Sequence, residues 1–241
     1  MDYLKRQAQM FDYQARRVYR DTSIKNVHEL RVTIRRIRAA LWLVEHSSRH
    51  HTFKKLRVSL RKLGQALGEC RELDVAIQDA GQYHLKVGKI KAERKTARRK
   101  LLVPINPKNI KKILEQLESA VRKVQKYPEL DLTPGIIRLR SNLSPWMSKN
   151  NLSDQELHTL RILAKKNRYI LEAFKTPTQP LRKLQGFLGR GHDLTVLQDY
   201  LGKNFKVQLN LFMQNRKAKR AIKPALQFTL KQLDTIIESE S

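Results

Sequence analysis

From Val27 to Glu45 the chain reads VHELRVTIRRIRAALWLVE. Wound at about 100° per residue, Val27, Leu30, Ile34, Ile37 and Leu41 fall on one side of a helix, and His28, Arg31, Arg35 and Arg38 on the other. No Arg here has an Asp or Glu three or four residues away, where a solvated helix places compensating partners. Each like-charged pair on neighbouring turns costs roughly 0.2–0.5 kcal/mol in an isolated helix. A face kept uniformly positive against that cost implies an anion as its partner.

The same stepping recurs along the chain. Leu4, Ala8, Phe11, Ala15 and Val18 predict a first helix, with a turn at Asp21 to Lys25. Phe53, Leu56, Leu60, Leu63 and Leu67 predict another, carrying Lys54, Arg57, Arg61 and Lys62 off its apolar stripe with no carboxylate at helical neighbour positions. Gly64 and Gly68 are expected to interrupt it, the second ending it before LDVAIQDAGQYHL resumes as a further helix. Ile90 to Leu101 reads as a strongly basic, solvated helix, and Ile110 to Val124 as an amphipathic one. Tyr127 to Pro134, with two prolines and no helical period, marks a boundary between residues 1–127 and 134–241. Beyond it, Ile136 to Met147 predicts a short helix, and Ser153 with Glu156 a capping box opening one at Asp154. No stretch alternates with a strand period, so the fold class is all-α.

Composition sharpens the partner. Fifty Lys and Arg against 22 Asp and Glu give a net charge of +28, which points to a polyanion: nucleic acid, anionic membrane or a phosphate chain. Hydrophobic residues at 40%, in periodic stretches, exclude a disordered basic tail. The lone Cys70 rules out an intramolecular disulfide and a cysteine zinc site, and suits a reducing compartment. The N-terminus has no apolar leader core and no run approaches the roughly 18 apolar residues of a membrane span, so a cytoplasmic protein is expected.

The chain also repeats itself. HTLRILAKKNRYILE from His158 follows the pattern of the opening stretch at an offset of 130 residues, so that His28, Arg31, Arg35, Arg36 and Arg38 become His158, Arg161, Lys165, Lys166 and Arg168. LRKLGQALGECRELDV from Leu60 aligns with LRKLQGFLGRGHDLTV from Leu181 at an offset of 121, which adds Arg182 and Lys183 to the basic set. Two copies in one order imply a duplication into two similar helical bundles about a pseudo-twofold axis, with both basic faces brought together. In the second copy Asn167 takes the place of Ile37 on the apolar stripe, and Arg168 has Glu172 four residues on, which predicts local hydrogen bonding or weaker burial there.

A histidine leading a basic stripe twice, HxxRVxxRRxR and HxxRIxxKKxRYxLE, each followed by an LxxLGxxLG or LQxxLG segment, resembles the conserved histidine α-helical domain, the CHAD family. The likeness spans both halves. It implies two four-helix-bundle-like halves enclosing a central basic groove or pore that binds inorganic polyphosphate, with association to polyphosphate granules in several members. The chain departs from the family pattern at Glu72, His192 and Asn167, where Asp, Asn and an apolar residue are usual. Many relatives also carry a triphosphate tunnel enzyme domain; no ExExK motif or strand-rich segment is present, and the domain is expected to stand alone.

The expected polyphosphate-binding residues are therefore His28, Arg31, Arg35, Arg36, Arg38, Arg57, Arg61 and Lys62 in the first half, and His158, Arg161, Lys165, Lys166, Arg168, Arg182 and Lys183 in the second. Arginine forks meet phosphate oxygens in pairs and lysines act as mobile point charges. From His28 to Arg38 the helix rises roughly 15 Å, a track suited to an extended polyanion. Imidazoles among cations lose a proton readily and regain it beside phosphate, which predicts tighter binding at lower pH. His46, His50 and His51 offer one i, i+4 pair and no third ligand, and Gly186, Gly189 and Gly191 follow a helix rather than a strand and read as a helix end; no metal and no cofactor are expected. With no Walker motif, no carboxylate cluster and no nucleophile with its base, the chain reads as a binding module and not an enzyme. The rivals are a nucleic-acid-binding protein, since the charge guarantees affinity at low salt, and a polyphosphate or phosphoester hydrolase.

Overall fold

Helices account for every regular element in the computed structural model, which describes residues 2–48, 53–127 and 130–240. His50 and His51, and residues 128 and 129 of the boundary stretch, lie outside the described residues. The chain divides between Leu130 and Asp131 into two compact units. The first holds α1 (Asp2–Arg20), α2 (Ile24–Ser47), α3 (Lys54–Gln82), α4 (Gly88–Leu101) and α5 (Pro107–Gln125). The second holds α6 (Thr133–Leu143), a 3-10 turn (Ser144–Met147), α7 (Asp154–Ala173), α8 (Gln179–Leu201) and α9 (Phe205–Glu240). No strand occurs among the described residues, and none of their helices is long and apolar enough to cross a membrane.

Within the first unit, α2 packs between α1 and α3, and α3 also meets α4 and α5. The stripe of α2 is what enters the core: Val27, Leu30, Ile34, Ile37 and Leu41 are at most 1% exposed. Each such burial stabilises by roughly 1.5–3 kcal/mol, so the apolar stripe determines which way the basic face must turn. α3 buries Leu56, Leu60, Leu63 and Leu67 in the same manner. In the second unit, α8 lies between α7 and α9, and α6 packs on α9, to which Arg140 is tied by a bidentate contact with Asp234.

Three expectations about helix ends are corrected. α3 does not stop at Gly68; it runs through both glycines to Gln82. These glycines serve close approach instead: a Cβ on Gly64 would sit 3.6 Å from Ile34 Cγ2, and one on Gly68 would sit 3.8 Å from the Arg31 guanidinium. α3 ends where His84 takes a left-handed conformation (φ 55°) and the Leu85 N–H reaches back to the Ala80 carbonyl, a closure that Lys175 (φ 57°) and the Thr176 N–H repeat after α7. Gly186, Gly189 and Gly191 lie inside α8, and a Cβ on Gly191 would stand 3.0 Å from Asn215 Oδ1 of α9. Ile136 to Met147 is not one helix, because Pro145 has no N–H to continue it and the last turn tightens to 3-10.

The capping box forms as the sequence predicts. Ser153 Oγ accepts from the Glu156 N–H at 3.3 Å, and Glu156 Oε2 accepts from the Ser153 N–H at 2.9 Å. The Lys149 ammonium, the Ser153 N–H and the Ser153 hydroxyl hold the Glu156 carboxyl down to about 2. Its folded value lies below its ordinary 4.5, so its contribution is present above pH 4.5 and lost as pH falls toward 2. Thermal unfolding followed by circular dichroism should show Ser153→Ala costing about 1 kcal/mol, and Glu156→Gln flattening the acid dependence in that window.

Candidate anion-binding site

The basic face of the first unit is built by two helices, α2 and α3. His28 and Arg38 stand exposed on α2, with Arg31, Arg35 and Arg36 half-buried, while Arg57, Arg61 and Lys62 are exposed on α3. Loss of hydration lowers the Arg38 guanidinium from its ordinary range, and the charges of Arg35, Arg61 and Arg57 lower it further. His28 is exposed, yet neighbouring atoms remove enough water from the ring for loss of hydration to be the first cause of its lowered pKa. The charges of Arg71, Arg31 and Arg35 follow, and Glu29 opposes them. The α2 and α3 cations thus feel one another, and the result is a single positive field. Arg36 and Lys62 sit one residue, about 100°, off these two lines.

Arg71 belongs to this cluster and sequence reasoning missed it. Arg57, Arg61, Gly64, Gly68 and Arg71 step by four and three along one face of α3, and the expected break at Gly68 cut that stripe short. With Gly64 and Gly68 as close-approach positions, the spacing carries on to Arg71.

The missing carboxylates are only partly missing. Arg57 is salt-bridged to Glu45, a residue 12 positions away whose side chain is 8% exposed and also accepts the Phe53 N–H. Arg182 is paired to Glu172 of α7 at 3.3 Å and donates to the Thr178 hydroxyl at 3.0 Å. Both pairs cross between helices, which a search at i±3 and i±4 does not cover. Glu29 is itself held by Arg17 of α1 at 3.1 Å. Among the described residues, Arg35, Arg38 and Arg61 carry no ion pair.

The second unit presents its own face on α7 and α8. His158 is exposed, its ring 5.7 Å from that of His192, and Arg161, Lys165 and Lys166 are half-buried. Arg168 lies over the Tyr169 ring at 4.6 Å and 3.8 Å from Glu172, so Glu172 serves two arginines, while Lys183 is exposed. Asn167 is fully buried; its amide donates to the Leu163 carbonyl at 3.0 Å and its Oδ1 has no partner among the described residues. The expected local hydrogen bond is therefore present, and the expected weaker burial is not.

A family model described as the CHAD domain matches residues 2–202. Among solved structures, PptA from Streptomyces chartreusis is similar with a TM-score of 0.63 at 17% identity, over 97% of this chain and 96% of that one. The CHAD domain from the plant Ricinus communis is similar with a TM-score of 0.60 at 21% identity, over 96% of this chain and 89% of that one. A search of curated proteins finds none that matches.

Proposed function

The chain belongs to the CHAD domain family, and we propose that it binds inorganic polyphosphate through the basic faces of α2–α3 and α7–α8, acting as a binding module in the cytoplasm and at polyphosphate granules. One observation carries this reading: α2 and α3 set Arg35, Arg38 and Arg61 in one mutually repelling cluster with no ion pair among the described residues. Phosphate oxygens are the ligand that turns that repulsion into charge-assisted hydrogen bonds. Against a hydrolase stands the engagement of the nearby carboxylates Glu29, Glu45 and Glu172 with arginines, which leaves them poor candidates for activating water. The test is titration with phosphate chains of defined length at two salt concentrations. If DNA or RNA displaces polyphosphate at equal phosphate concentration near physiological salt, nucleic acid is the ligand; release of orthophosphate would make the chain an enzyme.

The two faces are read as duplicates. At the aligned positions His28 neighbours Arg71 and His158 neighbours His192. Where Ile34 of α2 faces Gly64 of α3, the second copy has Ala164 and Gln185, and the Gln185 amide donates to the Ala164 carbonyl at 2.7 Å. A large and small pair has been exchanged for a small and large one across equivalent helices. Ala164→Ile should destabilise by about 1–3 kcal/mol through overpacking, and Gln185→Gly should recover most of it in a double-mutant cycle by urea unfolding. Independent costs would reject the equivalence.

The lowered pKa of His28 gives binding a pH dependence. In the free chain it takes its proton only below the ordinary range, and bound phosphate restores the proton, so binding takes up protons and tightens as pH falls. Calorimetry should give several-fold higher affinity near pH 6 than near pH 8, with His28→Ala reducing the difference. Equal affinities for the native chain would remove this role.

A further inference from the structure

The α4 helix, which its sequence presents as a solvated basic run, lines a cleft of about 450 Å³ in the first unit. Lys91, Arg94, Lys95, Arg98 and Arg99 recur at i, i+3, i+4, i+7 and i+8, so all five lie on one face of α4, and that face lines the cleft. Ile77 of α3 and Leu102 add apolar lining. Thr22, in the α1–α2 turn, adds a hydroxyl group, and Asn26 steadies that turn by donating to the carbonyl and the carboxylate of Asp21. Ile90, Ala97 and Leu101 bury the adjoining face of α4, which fixes its roll and keeps the cations turned to the cleft.

The charge in this cleft exceeds what the fold neutralises. Arg94 is bound by the buried Asp74, whereas Lys91, Lys95, Arg98 and Arg99 carry no ion pair among the described residues. The cleft is distinct from the α2–α3 face, since Ile77 lies about 120° around α3 from Arg71. Its volume falls within the roughly 300–1,000 Å³ of small-molecule sites.

We propose that this cleft is a second anion site, for a compact oligophosphate group, with Lys95, Arg98 and Arg99 as its main charges and Thr22 as a neutral donor. A recess of this volume admits a short, highly charged group, whereas an open stripe suits a long chain.

The experiment uses the full chain and inorganic tripolyphosphate at about 0.15 M ionic strength. Lys95→Gln/Arg98→Gln/Arg99→Gln should weaken tripolyphosphate about tenfold or more. The charge-matched Lys108→Gln/Lys111→Gln/Lys112→Gln on α5 should change it less than about twofold. Equal losses in the two variants, or no loss in the first, overturn the site. Tripolyphosphate should also shield Lys91 and Lys95 of the native chain from amine acylation while leaving Lys108 and Lys111 reactive; uniform labelling overturns the proposal without any substitution. Failure of long-chain binding would sink the α2–α3 reading alone, because the shielding of Lys91 and Lys95 reports on residues that line only the cleft.

Discussion

Replacing Arg35, Arg38 and Arg61 together by glutamate is expected to lower affinity for long-chain polyphosphate by about 100-fold or more while leaving helical content unchanged. Each charge-assisted hydrogen bond to phosphate contributes roughly 1.5–3 kcal/mol, and reversal adds repulsion. Even at the low end three such losses exceed the 2.7 kcal/mol or so that 100-fold represents. These three are the right choice because none carries an ion pair among the described residues, so no native carboxylate is stranded. Arg57 is the wrong one: its removal strips Glu45 of its partner and confuses stability with binding. The log–log salt dependence should become shallower by about two, since fewer counterions are released. Retained affinity in the folded variant would move the site elsewhere. The corresponding change of Lys165, Arg168 and Arg182 should cost less, because Glu172 already engages Arg168 and Arg182.

The largest effect on stability is expected at the contact of Asp74 with Arg94. The Asp74 side chain is 1% exposed on α3 and Arg94 of α4 is 23% exposed, so the arginine is what makes that burial tolerable. Arg94→Met should destabilise the first unit by about 3–5 kcal/mol, the usual cost of leaving a buried charge alone. Asp74→Asn combined with Arg94→Met should recover most of the loss, because the neutral amide has no charge to desolvate. Urea unfolding of the three variants decides the matter, and a cost under about 1 kcal/mol for the single change would show that Asp74 finds other compensation. The same pair joins α4 to α3 beside the α4 cleft, which Arg94 also lines.

Much of the architecture was legible in local pattern. The stripe from Val27 to Leu41 specified a helix and its buried side, and Ser153 with Glu156 specified where α7 begins, because both rest on contacts within four residues. Gly64 and Gly68 misled because glycine has two meanings: a stop, or room for a neighbouring helix. Only the position of α2 distinguishes them. The candidate site divides in the same way. Which residues are cationic and which face they occupy follows from the sequence, as does the i, i+4 pair of Arg168 with Glu172, but the pairs that cross between helices do not. Glu45 of α2 reaches Arg57 of α3, and Glu172 of α7 reaches Arg182 of α8.

What the sequence determined by itself is the helical class, the direction each amphipathic helix faces and the doubled histidine-led basic pattern, all consequences of periodicity in one dimension. What the tertiary structure decided is the grouping: α3 unbroken, Arg71 joined to His28, Arg57 and Arg182 paired across helices, and the α4 run turned from a solvated surface into a cleft wall. Those depend on distances between helices, and charge–charge energies fall with distance in space rather than with separation along the chain.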